Sequence, residues 1–176
     1  SPESRYNAIQ ADITLQHRNA IQRRWEWMAA QASLYGQLTL EGDNYPRQFV
    51  DFQRAANHTV INTGGSYWGE ATVSPMDDIQ AWSDRMQLAR FGAPPTRITC
   101  GAAAWAKLRK DPEFIEMMDT QFKGSDGTDF NRGLRQSAQV VRMGNVGQLE
   151  VYLYSDFYEV GGVSTPFMDP RDILLS

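Results

Sequence analysis

Cysteine occurs once, at Cys100, and histidine twice, at His17 and His58. A single thiol excludes an internal disulfide and any multi-cysteine zinc site. The two histidines lie far apart in sequence, one in a helical pattern and one in a polar linker, so no shared metal site is expected. Long hydrophobic runs are also missing: the longest span a few residues, far short of the ~20 that cross a bilayer. Positive charge is not in excess either. Seventeen Lys and Arg stand against 21 Asp and Glu, for a formal net charge of −4, and no basic stripe lines one face. That balance disfavours a dedicated nucleic-acid binder, whose affinity rests on concentrated positive charge. What is present is ordinary globular composition, 41% apolar and 22% charged, over 176 residues. The chain fits one large domain or two small ones.

Glycine and proline are absent between Glu3 and Tyr35, and that absence outlines one long helix. Ile9, Ile13, Ala20, Ile21, Trp25, Met28, Ala32 and Tyr35 recur mostly at three- and four-residue steps, and Gly36 supplies a stop. A helix of about thirty residues is roughly 45 Å long, more than a compact domain of this size needs to cover its core. Such a helix spans a domain or lies along a partner. Trp25 and Trp27 cannot share a face, so at least one is expected to be partly exposed, as an interface anchor or against the hairpin. A hairpin follows, with Gln37 to Leu40 and Tyr45 to Phe52 flanking Glu41-Gly42-Asp43-Asn44.

Beyond a polar crossing from Gln53 to Asn62 the pattern alternates. Helices are expected from Pro75 to about Arg90 and from Ala102 to Arg109, with Asp111-Pro112 capping a further piece through Met118. Arg97 to Thr99, Gln139 to Met143 and Gln148 to Tyr154 read as strands, and Phe157 to Phe167 as a hairpin around Gly161-Gly162. Thr120 to Gly127 reads as a loop, Phe130 to Ala138 as a weak helix, and Met168 to Pro170 as the lead into a final strand. Trp82 and Trp105 lie on apolar stripes and are expected in the core; Trp68 fits either core or contact. The chain starts without methionine and stops in a strand-like Ile173-Leu174-Leu175, so it reads as a piece of something longer.

Reactive arrangements are few. Gly144-Asn145-Val146-Gly147 joins two strands and opens no helix, so it lacks the convergent amides of a phosphate site. Lys123-Gly124-Ser125 has nucleotide-loop residues in the wrong order. Cys100 follows a strand and precedes a helix, where a dipole could lower a thiol pKa, but the favoured reading is a small apolar residue at a strand-to-helix turn. Asp77 and Asp78 suit paired acid–base or cation chemistry, or simply the positive end of a helix dipole. Ser74 as cap and Pro75 in the first turn favour the second reading. No G-x-S-x-G turn and no supported nucleophile–base set exists. No catalytic, cofactor or metal residue is assigned.

Read in order, the chain resembles the lambda-type major capsid proteins of tailed bacteriophages, the capsid protein E family, from about Tyr6 to its last residue. After the long arginine-containing helix come Val50-Asp51-Phe52, Asn62-Thr63-Gly64-Gly65-x-x-Trp68 and Ser74-Pro75-Met76-Asp77-Asp78-Ile79. Ala104-Trp105-Ala106-Lys107-Leu108, Lys123-Gly124-Ser125, Leu149 to Tyr158 and Phe167-Met168-Asp169-Pro170-x-x-Ile173-Leu174 follow. No single marker is as specific as a metal-ligand pattern; the collinear set carries the resemblance.

The resemblance implies an α+β chain with the Hong Kong phage capsid fold, a long spine helix plus a mixed α/β axial domain. Residues 3–52 would form the spine helix and peripheral hairpin, 53–170 the axial domain, and 171–176 the start of the return strand. It implies a non-enzymatic shell subunit, assembled with copies of itself into hexamers and pentamers that enclose DNA without sequence-specific binding. Scaffold or decoration proteins are further implied partners, with no membrane partner and no cofactor. The location implied is the virion capsid, and the bacterial host cytoplasm during assembly. The family's N-terminal arm and extended loop, which clasp neighbouring subunits, have no counterpart in this sequence, so folding without assembly is an expectation too. Gln121 to Arg132 and Asn62 to Ser74 are the candidate contact loops. Two other readings share the sequence: a cytosolic α/β enzyme or ligand-binding domain with a dispersed site, and an encapsulin-like compartment shell. The first requires a deep pocket lined by Asp77, Asp78, His58 or Cys100.

Overall fold

The computed structural model describes residues 2–116 and 140–176. The chain divides into two compact units, residues 1–53 and 54–176. The loop expected at Thr120 to Gly127, the weak helix at Phe130 to Ala138 and the contact loop Gln121 to Arg132 lie outside the described residues.

The first unit is a helix and a ribbon. Helix α1, Pro2–Tyr35, runs 34 residues, as its freedom from helix breakers requires, and is about 50 Å long. It ends at Gly36, whose φ of 67° turns the chain while its N–H reaches the Ala32 carbonyl at 3.0 Å. Strands β1 (Gln37–Gly42) and β2 (Tyr45–Asp51) then pair antiparallel, with Leu38 opposite Val50 and Leu40 opposite Gln48. Asn44 takes the positive φ of the turn, 61°, which asparagine tolerates. The Phe52 N–H closes the ribbon on the Gly36 carbonyl at 2.9 Å.

This unit has almost no interior. No residue of α1 is buried, and every residue of β2 is exposed. Ile9, Ile13, Ile21 and Trp25 are 46–64% exposed, because the hairpin covers only the last turns of the helix. Trp25 stands out while Trp27 is half-buried, with the Arg24 guanidinium 4.4 Å over its ring. Leu38, on β1, is the one described hydrophobic residue of this unit that is buried.

The second unit has a core. Strands β3 (Arg97–Cys100), β4 (Val140–Val146), β5 (Leu149–Tyr154) and β8 (Ile173–Leu175) form a four-stranded sheet in the order β4-β5-β3-β8. β3 is parallel to β5 and antiparallel to β8. A separate hairpin pairs β6 (Phe157–Val160) with β7 (Val163–Pro166). Helices α2 (Pro75–Gln87) and α3 (Ala102–Leu108) complete the unit, and a helical turn follows at 112–116. The alternation along β5 points Val151 and Leu153 inward to meet Ile98 and Cys100 from β3. Ala104, Trp105 and Leu108 of α3 seal the cluster, with Phe114 edge-on to Trp105 at 5.9 Å. Each fully buried Ile or Leu here contributes about 1.5–3 kcal/mol.

Two element bounds depart from expectation. Gly144-Asn145-Val146 does not bridge two strands; it belongs to β4, and the turn shrinks to Gly147-Gln148. A register shift between Arg142 and Gly144 leaves Met143 without a ladder partner and lets pairing with β5 continue from Gly144 to Val146. Helix α2 stops at Gln87, short of Arg90, with Leu88 as its C-cap.

The last strand is held by an unusual helix start. α3 has no side-chain cap at Gly101. Instead the Pro170 carbonyl accepts hydrogen bonds from the Ala103 and Ala104 amides at 2.8 and 3.0 Å, and the Gly101 N–H donates to the Asp172 carbonyl at 3.0 Å. Two amides that a helix start leaves without partners are thereby satisfied. Such proximity requires glycine: a Cβ on Gly101 would lie 2.5 Å from the Asp169 oxygen and from the Pro170 carbonyl atoms. A Gly101→Ala substitution is therefore expected to cost about 1–3 kcal/mol through overpacking. Denaturant unfolding followed by tryptophan fluorescence checks this; unchanged stability would show that the approach relaxes freely.

Candidate functional site

The segment from Gly64 to Ile79 folds as its helix start dictates. Ser74 Oγ accepts the Asp77 N–H at 3.2 Å, and its own hydroxyl donates to Glu113 Oε2 at 3.3 Å. Pro75, buried, fills the first helical position. The preceding loop is then pinned onto the helix by an indole. Trp68 Nε1–H donates to Asp78 Oδ2 at 2.7 Å, and its ring stacks on Trp82 with centroids 5.9 Å apart and planes 13° from parallel. Trp68 is 8% exposed, so of its two readings the core is the correct one. The Asn62 to Ser74 loop thus presents Tyr67, half-exposed, from a firm base, with the Gly65 N–H directed at Glu70 Oε1 at 3.4 Å.

This geometry separates the acidic pair. Consecutive helix residues point about 100° apart; Asp78 is committed to the indole while Asp77 is exposed. They do not form a joint acid–base site. The indole acceptor role of Asp78 was invisible in sequence, because it depends on how the ten-residue loop returns to the helix.

Cys100 is fully buried between β3's neighbours, and burial pushes its thiol up to about 12. Desolvation outweighs any benefit from the α3 dipole, so the bland reading of this residue, a small apolar one, is what the structure supports. His17 is exposed on α1. His58 borders a shallow groove of about 510 Å³ between the 3-10 turn Ala56–His58 and α2, lined also by Ala81, Asp84, Arg85 and Ala89. Of the four residues an enzyme pocket was expected to use, His58 alone lines this groove. Among the described residues, no group of three His, Cys, Asp or Glu is placed to hold a metal. Lys123-Gly124-Ser125 lies outside the described residues.

The Phe167 to Leu174 markers also have structural employment. Phe167 and Met168 are buried, and Tyr158 packs on Phe167 with ring centroids 4.8 Å apart. Arg171 hydrogen-bonds Asp169 at 3.1 Å and holds its carboxyl below the usual range, whereas burial raises that of Asp172. Next to this closure lies the Pro170 carbonyl that caps α3. What remains conspicuous on the outside is apolar: Ile9, Ile13, Trp25 and Phe49 in the first unit, Ile61, Leu88 and Phe91 in the second.

Residues 1–176 match the family described as Phage major capsid protein E. The major capsid protein of Escherichia phage lambda is 25% identical over 160 residues, covering 89% of this chain and 45% of that protein. The P21 prophage-derived major head protein of Escherichia coli O6:H1 (strain CFT073) is 33% identical over 128 residues, covering 71% of this chain and 36% of that protein. The crystal structure of a prophage capsid protein from E. coli CFT073 superposes with a TM-score of 0.71 at 26% identity, covering 89% of this chain and 45% of its own. The matches span 36–45% of the length of these relatives.

Two outcomes are expected from the geometry. Trp68→Phe keeps the stack but strands the Asp78 carboxylate, and is expected to cost about 1–3 kcal/mol in thermal or denaturant unfolding; no loss would mean that water replaces the indole. The Cys100 thiol, neutral until pH approaches 12, is expected to react with an aromatic disulfide reagent at pH 8 only after denaturant is added. Fast labelling of the native protein would contradict its burial.

Proposed function

The chain belongs to the phage major capsid protein E family, and from that premise we propose that it is a structural subunit of a phage or prophage capsid shell. The observation that carries the proposal is the family match over residues 1–176. The mixed helix-and-sheet architecture and the 0.71 superposition on a prophage capsid protein support it.

The specific fold proposed is the Hong Kong phage capsid fold. In it, residues 3–52 serve as spine helix and peripheral hairpin, 53–170 as axial domain, and 171–176, paired on β3, lead toward the periphery. Copies of the chain join by repeated heterologous contacts that close into hexamers and pentamers, and these tile the virion shell around DNA. Scaffold or decoration proteins act during or after assembly in the host cytoplasm. DNA is held by confinement, consistent with the net charge of −4. The role is mechanical: shape and complementary edges suffice, and none of the side chains described above is needed for chemistry. The exposed apolar positions of α1 and β2 are proposed as contact surface, because apolar area left in water by the chain's own fold is gained back on association.

Sedimentation and electron microscopy of the protein, expressed in bacteria with the genes that flank its own, test this reading. Closed shells or ringed capsomers are expected. A stable monomer under those conditions would contradict it.

A further inference from the structure

The end of α2 carries two large apolar side chains that the fold leaves almost wholly in water. Leu88 is 87% exposed and Phe91 is 92% exposed, the highest values among the large hydrophobic residues described. A helix end ordinarily tucks such residues against its last turn. Here the backbone works in the opposite direction. Phe91 sits at φ 63°, a conformation that a bulky residue rarely adopts and that carries a cost. It is kept there by Gly92, whose N–H reaches the Ala89 carbonyl at 2.7 Å, and where any Cβ would collide with the carbonyls of Met86 and Ala89. The ring is therefore projected outward by a rigid turn, and the Arg90 guanidinium lies 5.0 Å from its centroid.

Beside this knob is the groove that His58 borders. Arg85 donates to the Asn57 carbonyl at 2.7 Å and ties the 3-10 turn to α2, which fixes the groove's width. Ala81, Ala89 and the exposed Leu88 line it, and Asp84, whose Oδ1 accepts from Gln80 Nε2 at 2.8 Å, stands exposed in its lining. Its volume, about 510 Å³, is ample for one aromatic ring. The knob brings a cation, Arg90, and the groove offers an anion, Asp84.

We propose that this shoulder is a contact between copies of the chain, with Phe91 of one copy seated in the groove of another and Arg90 meeting Asp84. Shape and charge argue for the occupant: with Arg85 engaged by the Asn57 carbonyl, Asp84 is the exposed charge of the groove, and this chain presents an exposed aromatic beside the cation Arg90. The proposal rests on the shell-subunit reading above and adds a specific contact to it. A buried aromatic of this kind is an affinity anchor.

The test uses protein that assembles. Two single variants, Ala81→Cys and Ala93→Cys, both at exposed positions and both leaving the Phe91 ring in place, are co-expressed, and the resulting particles are treated with a short thiol cross-linker and run on a non-reducing gel. Native Cys100, fully buried, contributes no background. Cross-linked dimers are expected from the mixture and from neither variant alone. In parallel, Asp84→Arg and Arg90→Asp, each of which sets like charges against one another, are expected to raise the subunit concentration needed for assembly about tenfold, equivalent to ~1.4 kcal/mol, and the double exchange to restore it. Particles that form normally without cross-links, and with no effect of either charge reversal, would overturn the contact while leaving the shell reading intact. Wild-type protein that never assembles would overturn both.

Discussion

The Pro170 carbonyl is the point on which the second unit turns. A seven-residue helix has little stability of its own, since nucleation consumes most of what so few hydrogen bonds return. α3 begins without a side-chain cap, and its first amides find their acceptor in a carbonyl nearly seventy residues away in sequence. That one oxygen positions α3 so that Trp105 and Leu108 enter the core, and it also delivers β8 to the free side of β3. β3 is then flanked on both sides, by β5 in parallel and β8 antiparallel, and Ile98 and Cys100 become fully buried. Removing the glycine beneath it would disturb all of these together.

The first unit obeys a different constraint. A long helix and a two-stranded ribbon present the hydrogen bonding of secondary structure without an interior to support it. Leu38 is the one described hydrophobic residue that reaches burial there, while Trp25, Phe49 and Phe52 stay exposed. On the capsid proposal, such surface is covered when other copies complete the subunit. The contrast between a unit with its own core and one that has yet to be covered is the physical content of the capsid reading. The rigid Phe91 shoulder carries the same logic into the second unit.

Much of the architecture was legible because it rests on local chemistry. Freedom from Gly and Pro marked α1, Asp43-Asn44 marked the hairpin turn, and Ser74-Pro75 marked the start of α2. The alternation of Leu149, Val151 and Leu153 marked β5. What stayed hidden is determined by partners distant in sequence. A strand passing through Gly144 is intelligible only once β5 supplies a ladder with a bulge. Asp78 as an indole acceptor, and Pro170 as a helix cap, are relations between a loop and a helix that no spacing announces. For Cys100 the favoured reading, a small apolar residue at a strand-to-helix turn, holds, and burial pushes its thiol up to about 12. The functional proposal comes from the resemblance to capsid proteins, because local chemistry does not encode it.

On the capsid proposal, the apolar positions of α1 are covered by other copies of the chain. Hydrogen exchange, read residue by residue for the free subunit and for the assembled particle, tests it most directly. In the free chain the amides from Tyr6 to Trp25 should exchange quickly, because no side chain of α1 is buried. In the particle the same amides should slow by about a hundredfold or more, as covering adds roughly 3 kcal/mol or more of local stability. Equal exchange in both states, or strong protection in the free chain, would contradict the claim.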